Sequence, residues 1–343
     1  MDRLTDLVKR QMKNNAGITD NQTLESFSLE YCEIIDKSDD EFVIGRKKRC
    51  CEGLKQIGID YDSRIKTVYE AYSETICYID LKRLCNISNV YECEKKTPDF
   101  KISYDSTDIY IEMKSLSFAD GNSNYKKSQD SAFWANVSRE EQLKQGKGII
   151  WTEREVLPMA KNGIIPSFRD LLKILHDKIE QNIKKEQLIK GETILLIDLN
   201  QLGVSYRASE NVAIERSYNG IGYSSGMLWT LAFSKEHDRL FITPEFEGKP
   251  NIEKEPIGFN GILIDYPELR GLMFAVGKDP SNRAFVGFYR YEEQDSLSVK
   301  FIHEICSFYN DNYNSYCFDV NKEFIPVRKI QSYIKEQKIS IQD

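Results

Sequence analysis

Two carboxylates and a lysine lie close together in this chain: Asp99 in Thr97-Pro98-Asp99-Phe100, then Glu112 and Lys114 in Ile109-Tyr110-Ile111-Glu112-Met113-Lys114. The polar residues Asp105 to Asp108 read as a turn, and the segments on either side alternate as the strands of a β-hairpin do. Pairing Tyr104 with Ile109 sets Lys101 opposite Glu112 and Asp99 opposite Lys114. Side chains alternate with period two, so Asp99, Lys101, Ser103, Tyr110, Glu112 and Lys114 share one face. Phe100, Ile102, Tyr104, Ile109, Ile111 and Met113 share the other, which belongs to a core. Carboxylates gathered beside an ammonium group suit a hard cation and phosphate chemistry, because they supply oxygen ligands and a positive group for developing charge.

Flanking elements must hold that hairpin. Ile65, Val68, Tyr69, Tyr72, Ile76 and Ile79 fall on one stripe at helical spacing, which predicts a helix from about Ser63 to Leu84. Cys77, Leu81 and Leu84 form a second apolar strip, and Glu70 and Glu74 run along it at i,i+4. Periodicity alone is equally compatible with one of them facing protein and with a solvated pair near Lys66. Val90-Tyr91-Glu92-Cys93 suits a short strand before the hairpin. Residues 117–166 are polar and interrupted by Gly121, Gly146, Gly148, Pro158 and Gly163, and read as a long excursion with one or two short helices. Ser167 is placed to cap a helix reaching about Lys190, with Phe168, Leu171, Leu172, Leu175, Ile179 and Ile183 on its apolar face and Gly191 as its stop. The run Thr193-Ile194-Leu195-Leu196-Ile197 is continuously apolar, as a strand buried on both sides of a sheet would be.

The remaining segments carry less chemistry. Amphipathic helices are expected over about Leu4 to Met12 and Leu24 to Ile35. Beyond residue 200, Leu228 to Phe233, Arg239 to Ile242, Gly261 to Ile264, Gly271 to Val276 and Ala284 to Tyr291 are apolar runs of strand or buried-helix type that could extend the sheet. The stretch from Ser217 to Gly226, with Tyr218, Tyr223 and several glycines, could line a groove but reads more readily as an ordinary tight connection. Residues 1–62 thus form an N-terminal helical segment, 63–200 a core and 201–343 a C-terminal α+β extension.

Composition narrows the functional classes. The chain has 343 residues, 41% hydrophobic and 29% charged, enough for a sizeable core, and this balance excludes the disordered and fibrous classes. Its eight cysteines include no CxxC pair and no Cys/His group with zinc spacing, so they read as reduced cysteines of a soluble, cytoplasmic protein. No signal-like apolar start and no run of membrane-spanning length is present. A net charge of −7 argues against coating nucleic acid by bulk electrostatics, which needs many neutralised phosphates. Local clusters, Arg46-Lys47-Lys48-Arg49, Lys126-Lys127 and Lys184-Lys185, could still meet a phosphate backbone. His176, His237 and His303 are too scattered for a histidine-based site, and His176 is expected at a helix rim. No P-loop or dinucleotide motif occurs, so an NTPase would have to come from a separate partner subunit.

From Ser63 to Asn200 the order is helix, three strands, helix, strand. In this order, and in Pro98-Asp99 followed by Glu112-Met113-Lys114, the chain resembles the PD-(D/E)xK nuclease superfamily, the restriction-endonuclease-like fold with an αβββαβ core and a mixed central sheet flanked by helices. Other Asp/Glu-x-Lys triplets occur, such as Glu94-Lys95-Lys96 and Asp80-Leu81-Lys82, but Pro98-Asp99 is the single Pro-Asp and only Glu112-Met113-Lys114 ends an alternating strand paired with it. The resemblance implies that Asp99 and Glu112 hold Mg²⁺, or Mn²⁺, with the Met113 carbonyl. It implies that Lys114 orients the attacking water and stabilises phosphorane charge, and that Glu74, with Glu70 as second candidate, completes the metal site. It further implies a nuclease acting on DNA in preference to RNA, in restriction or phage defence, with homodimerisation where both strands are cut. A module that keeps the fold to bind nucleic acid or protein without catalysis is the competing expectation.

Overall fold

The computed structural model describes residues 2–15, 24, 26–56, 61–90, 97–104, 107–116, 137–146, 168–188, 191–202, 223–242, 251–312 and 318–319. At the N-terminus stand three helices, α1 (Leu4–Asn15), α2 (Leu29–Lys37) and α3 (Glu41–Lys55), followed by the 24-residue α4 (Tyr61–Leu84). Ser28 and Asp40 cap α2 and α3 through the N–H groups of Tyr31 and Val43. Asp36 ties α1 to α2 by accepting from the Leu4 and Thr5 N–H groups at 2.8 and 3.0 Å, and Lys47 balances its charge at 2.9 Å.

The sheet is mixed and eight-stranded. Strands β1 (Ile87–Asn89) and β3 (Thr107–Ser115) flank β2 (Phe100–Tyr104) and both pair antiparallel with it, and β3 then pairs parallel with β4 (Glu192–Asp198). Continuing outward come β8 (Leu269–Val276), parallel to β4, then β9 (Ala284–Tyr289), β10 (Phe308–Asp311) and β11 (Phe318–Asp319). The C-terminal residues therefore extend the same sheet that holds the hairpin. A second sheet joins β5 (Tyr223–Ser225), β6 (Arg239–Ile242) and β7 (Asn251–Pro256).

Period-two alternation divides the core between two helical layers. Ile109, Ile111, Ile194 and Leu196 pack under α4 and the helices before it, together with α8 (Leu297–Ile305). Leu195, Ile197, Leu272 and Phe274 face the opposite layer of α5 (Phe168–Asn182), α6 (Met227–Phe233) and α7 (Ile262–Asp265). β4 is thus covered on both faces, as its unbroken apolar run requires. Helix α4 lies between the sheet and α1–α3, which explains why Tyr69, Tyr72 and Ile76 are buried and so are Cys77 and Leu81 on its other flank.

Several sequence expectations need correction. Tyr104 pairs with Thr107 and Ile102 with Ile109, so the connection is two residues shorter than the expected turn and the register moves by two. A shift of two preserves every face assignment. Lys101 lies opposite Tyr110 rather than Glu112, and the ladder projects Asp99 to the level of Glu112 rather than Lys114. The strand before the hairpin is Ile87–Asn89, and Tyr91 to Cys93 lie outside the described residues. Helix α5 ends at Asn182, not near Lys190, because the Asn182 side chain donates to the Lys178 carbonyl at 2.7 Å and competes with the helical pattern there. Gly191, with φ of 111°, leads into β4 instead of capping α5. Of the runs that read equally as strand or buried helix, Leu228–Phe233 and Ile262–Ile264 are helical, and residues 137–144 form one of the short helices expected in the long excursion. Ser167, Lys126 and Lys127 lie outside the described residues, as does most of Ser217 to Gly226.

Candidate active site

A cleft of about 240 Å³ opens where β2 ends and β3 continues, and Glu70, Glu74, Asp99, Met113, Lys114, Ser115 and Asn182 line it. Its floor follows from strand geometry. Pairing between β2 and β3 stops at Phe100 and Ile111, so the backbone of Met113 faces space that β2 no longer fills. The Asp99 carboxylate enters that space and accepts the Met113 N–H at 2.8 Å. The N–H and C=O of one strand residue point to the same side, so the Met113 carbonyl is turned toward the Asp99 side as well. The Asp99 carbonyl accepts from the Val90 N–H at 3.1 Å, which fixes the residue from β1.

The acids converge on this point from separate elements. Glu112 is 1% exposed and ion-paired with Lys114, while its second oxygen, Oε2, is buried with no hydrogen-bond partner. Glu74 reaches the cleft from α4 and pairs with Arg46 of α3 at 2.5 Å. Burial, joined by the negative charge of Asp99, pushes both Glu74 and Glu112 up to about 7 against the pull of Arg46 and Lys114. Asp99 acts on both, so the three carboxylates share one electrostatic site. Glu70 lines the same cleft from an exposed position one turn earlier, which leaves Glu74 the deeper of the two.

Those charges set a pH dependence. Both glutamates have folded-state pKa values above their unfolded values near 4.3, so the folded chain holds the extra protons between about pH 4.5 and 7. Stability without divalent cation should therefore fall as pH rises through that window, by on the order of 2 kcal/mol for each group. Glu112→Gln should flatten the decline and melt higher than the unchanged protein at pH 8. Thermal melts from pH 5 to 8 in EDTA test this, and an unchanged slope in Glu112→Gln would refute the assignment of buried charge.

The donor set fits a hard divalent cation. It offers carboxylate oxygens, a strand carbonyl beside them and one buried carboxylate oxygen without a protein partner. The oxygens of Glu74, Asp99 and Glu112 are not closed to within 4.8 Å as a trio, because each is turned toward Arg46, the Met113 N–H or Lys114. Comparison with protein-family models, with curated proteins and with solved structures found no match for this chain. The site therefore stands on its own residues and on the order of elements around it.

Sequence pattern marked basic clusters but not which of their residues stand near the acids. Arg46 and Arg49 influence Glu74, and Lys184, just past α5, influences Glu112. They belong to clusters visible in the sequence, but clustering does not separate Arg46 from Lys47, which is buried against Asp36. A second ligand-bearing group, His176, Asp177 and Glu180 of α5, brings one atom from each side chain within 4.8 Å. It lies outside the cleft lining, and its acids are partly or fully exposed. His176 is buried, stacked on Phe259 at 4.4 Å, rather than at a helix rim. Among the described residues, no helix is long and apolar enough to cross a membrane.

Proposed function

We propose that the protein is a divalent-metal-dependent nuclease built on a PD-(D/E)xK core, with DNA as its favoured substrate. The observation that carries this reading is a cleft lined by Glu74, Asp99 and Lys114, behind which the buried Glu112 is bonded to Lys114 and feels the charge of Asp99. Asp99 and Glu112, with the Met113 carbonyl and Glu74, would hold Mg²⁺ or Mn²⁺. Such an ion shields the phosphate charge that protects a phosphodiester and makes water more acidic. Asp99 is positioned by the Met113 N–H and by β1, so its carboxylate needs little reorganisation. The Lys114 ammonium, one-fifth exposed, stands between the buried Glu112 and the open cleft, where it can orient a water or meet a non-bridging oxygen.

The pairing of Glu74 and Glu112 with cations also suits a second reading, a non-catalytic module that binds nucleic acid or protein. A cleavage assay separates the two. Plasmid, linear duplex, single-stranded DNA and RNA should be incubated with protein in Mg²⁺, Mn²⁺ or EDTA. Cleavage of DNA that requires the metal and disappears in Asp99→Ala is the expected result. Persistent cleavage in Asp99→Ala would refute the site, and binding without cleavage of any substrate would favour the module.

A further inference from the structure

Helix α3 lies outside the αβββαβ order, yet it brings a guanidinium to Glu74, one of the acids that line the cleft. Arg46 pairs with Glu74 through one nitrogen, Nη2, and its guanidinium lies 5.2 Å over the Phe42 ring. It remains 26% exposed, and no second acceptor for it stands among the described residues. Arg49, one turn further along α3, is exposed and close enough to act on Glu74. A guanidinium with donors to spare is a planar fork suited to two phosphate oxygens at once. Phe42 can support it in either orientation, since stacking does not depend on Glu74.

We infer that Arg46 is a phosphate-contacting residue that exchanges Glu74 for a backbone phosphate of the nucleic acid when the acids take up a divalent cation, an inference that rests on the nuclease reading. The exchange follows from charge. Glu74, Asp99 and Glu112 would hold a divalent cation in place of the balance that Arg46 provides, and its charge would disfavour a guanidinium so close to Glu74. The released fork then stands beside Glu74, which lines the cleft, with the exposed Arg49 one turn along α3 placed to meet a neighbouring phosphate. Metal uptake and substrate grip are thereby coupled through one side chain.

The full-length protein tests this with two probes, Mn²⁺ alone by titration calorimetry and a fluorescein-labelled DNA 20-mer by anisotropy, in Ca²⁺ and in EDTA. Arg46→Ala should bind Mn²⁺ at least as tightly as the unchanged protein. In Ca²⁺ it should bind the oligonucleotide about tenfold more weakly, with a salt slope smaller by about 0.7–0.9. In EDTA the two proteins should bind the oligonucleotide alike, because Glu74 then holds Arg46. Arg46→Lys, which keeps the charge but not the fork, should fall between them and guards against misfolding of the alanine variant. Weaker Mn²⁺ binding in Arg46→Ala, unchanged oligonucleotide binding, or an equal loss with and without Ca²⁺ would each overturn the exchange. If Asp99→Ala abolishes Mn²⁺ binding beside one of those results, the exchange alone fails. Mn²⁺ binding indifferent to Asp99→Ala would overturn the nuclease reading and the exchange together.

Discussion

Lys114→Met is expected to slow metal-dependent cleavage by about 10²–10³-fold, the usual loss when one preorganised group facing developing charge is removed. Methionine keeps the length of the side chain and its packing beside Glu112, so the lost quantity is the ammonium itself. Lys114 is also the cation that most lowers the Glu112 pKa, through both its charge and its hydrogen bond. Without it Glu112 should hold its proton to higher pH than the present value of about 7. Metal uptake needs the carboxylate, so the pH of half-maximal Mn²⁺ binding should move upward in the variant. Initial rates in saturating Mn²⁺ at pH 7 and pH 9 separate the two effects. A slow variant at both values identifies an ammonium that acts on the reacting groups. Full recovery at pH 9 would reduce Lys114 to a keeper of Glu112 and refute its catalytic role.

Local pattern carried the core of the fold well, for reasons specific to each element. Alternation in Phe100 to Tyr104 and Ile109 to Met113 could be satisfied by only one choice of buried face, so the faces survive although the register is two residues off. The register itself depends on turn length, and the four polar residues from Asp105 to Asp108 permit more than one turn. Ser63 to Leu84 is legible as a helix because its apolar stripe is long. Its burial on several sides also shows in the mixture of Tyr, Cys, Ser and Asp around it. Leu228 to Phe233 is apolar but for Thr230 and short, and such a run has no period with which to choose between strand and helix.

The site divides in the same way. Asp99, Glu112 and Lys114 lie within one hairpin, where spacing places side chains directly. Glu74 needs the rotation of α4 about its axis, which an apolar pattern on two flanks leaves open. Arg46 needs the docking of α3 on α4, a contact between segments 28 residues apart that no local pattern encodes. Coupling between Arg283 and Asp198 is more distant again, at a separation of 85 residues.

Arg283 is the residue whose loss should damage the protein most. Its side chain is 3% exposed and meets Asp198 at 3.3 Å and Asp80 at 3.5 Å. It also donates to the Gly277 carbonyl and the Cys77 thiol, both at 3.0 Å. Ser73 donates to Asp198, and Tyr31 donates to Asp80 at 2.7 Å. Ser73, Cys77 and Asp80 are all on α4, while Asp198 ends β4, so this network sets how α4 sits on the sheet and hence where Glu74 points. Arg283→Met would leave two buried carboxylates without their shared cation. Breaking a buried pair from one side costs about 3–5 kcal/mol, which corresponds to a fall in melting temperature of roughly 4–7 °C for a chain of this size. Burial already raises the Asp80 pKa against the pull of Arg283, and removing that pull raises it further. The folded variant then binds more protons than its unfolded chain, so the deficit should shrink as pH falls from 7 toward 5. Adding Asp198→Asn to Arg283→Met should recover part of the loss, since the amide fills the same volume without the charge. Melts of both variants across that pH range test the network. A loss under about 1 kcal/mol, or one that grows as pH falls, would mean that α4 is held by its apolar faces alone.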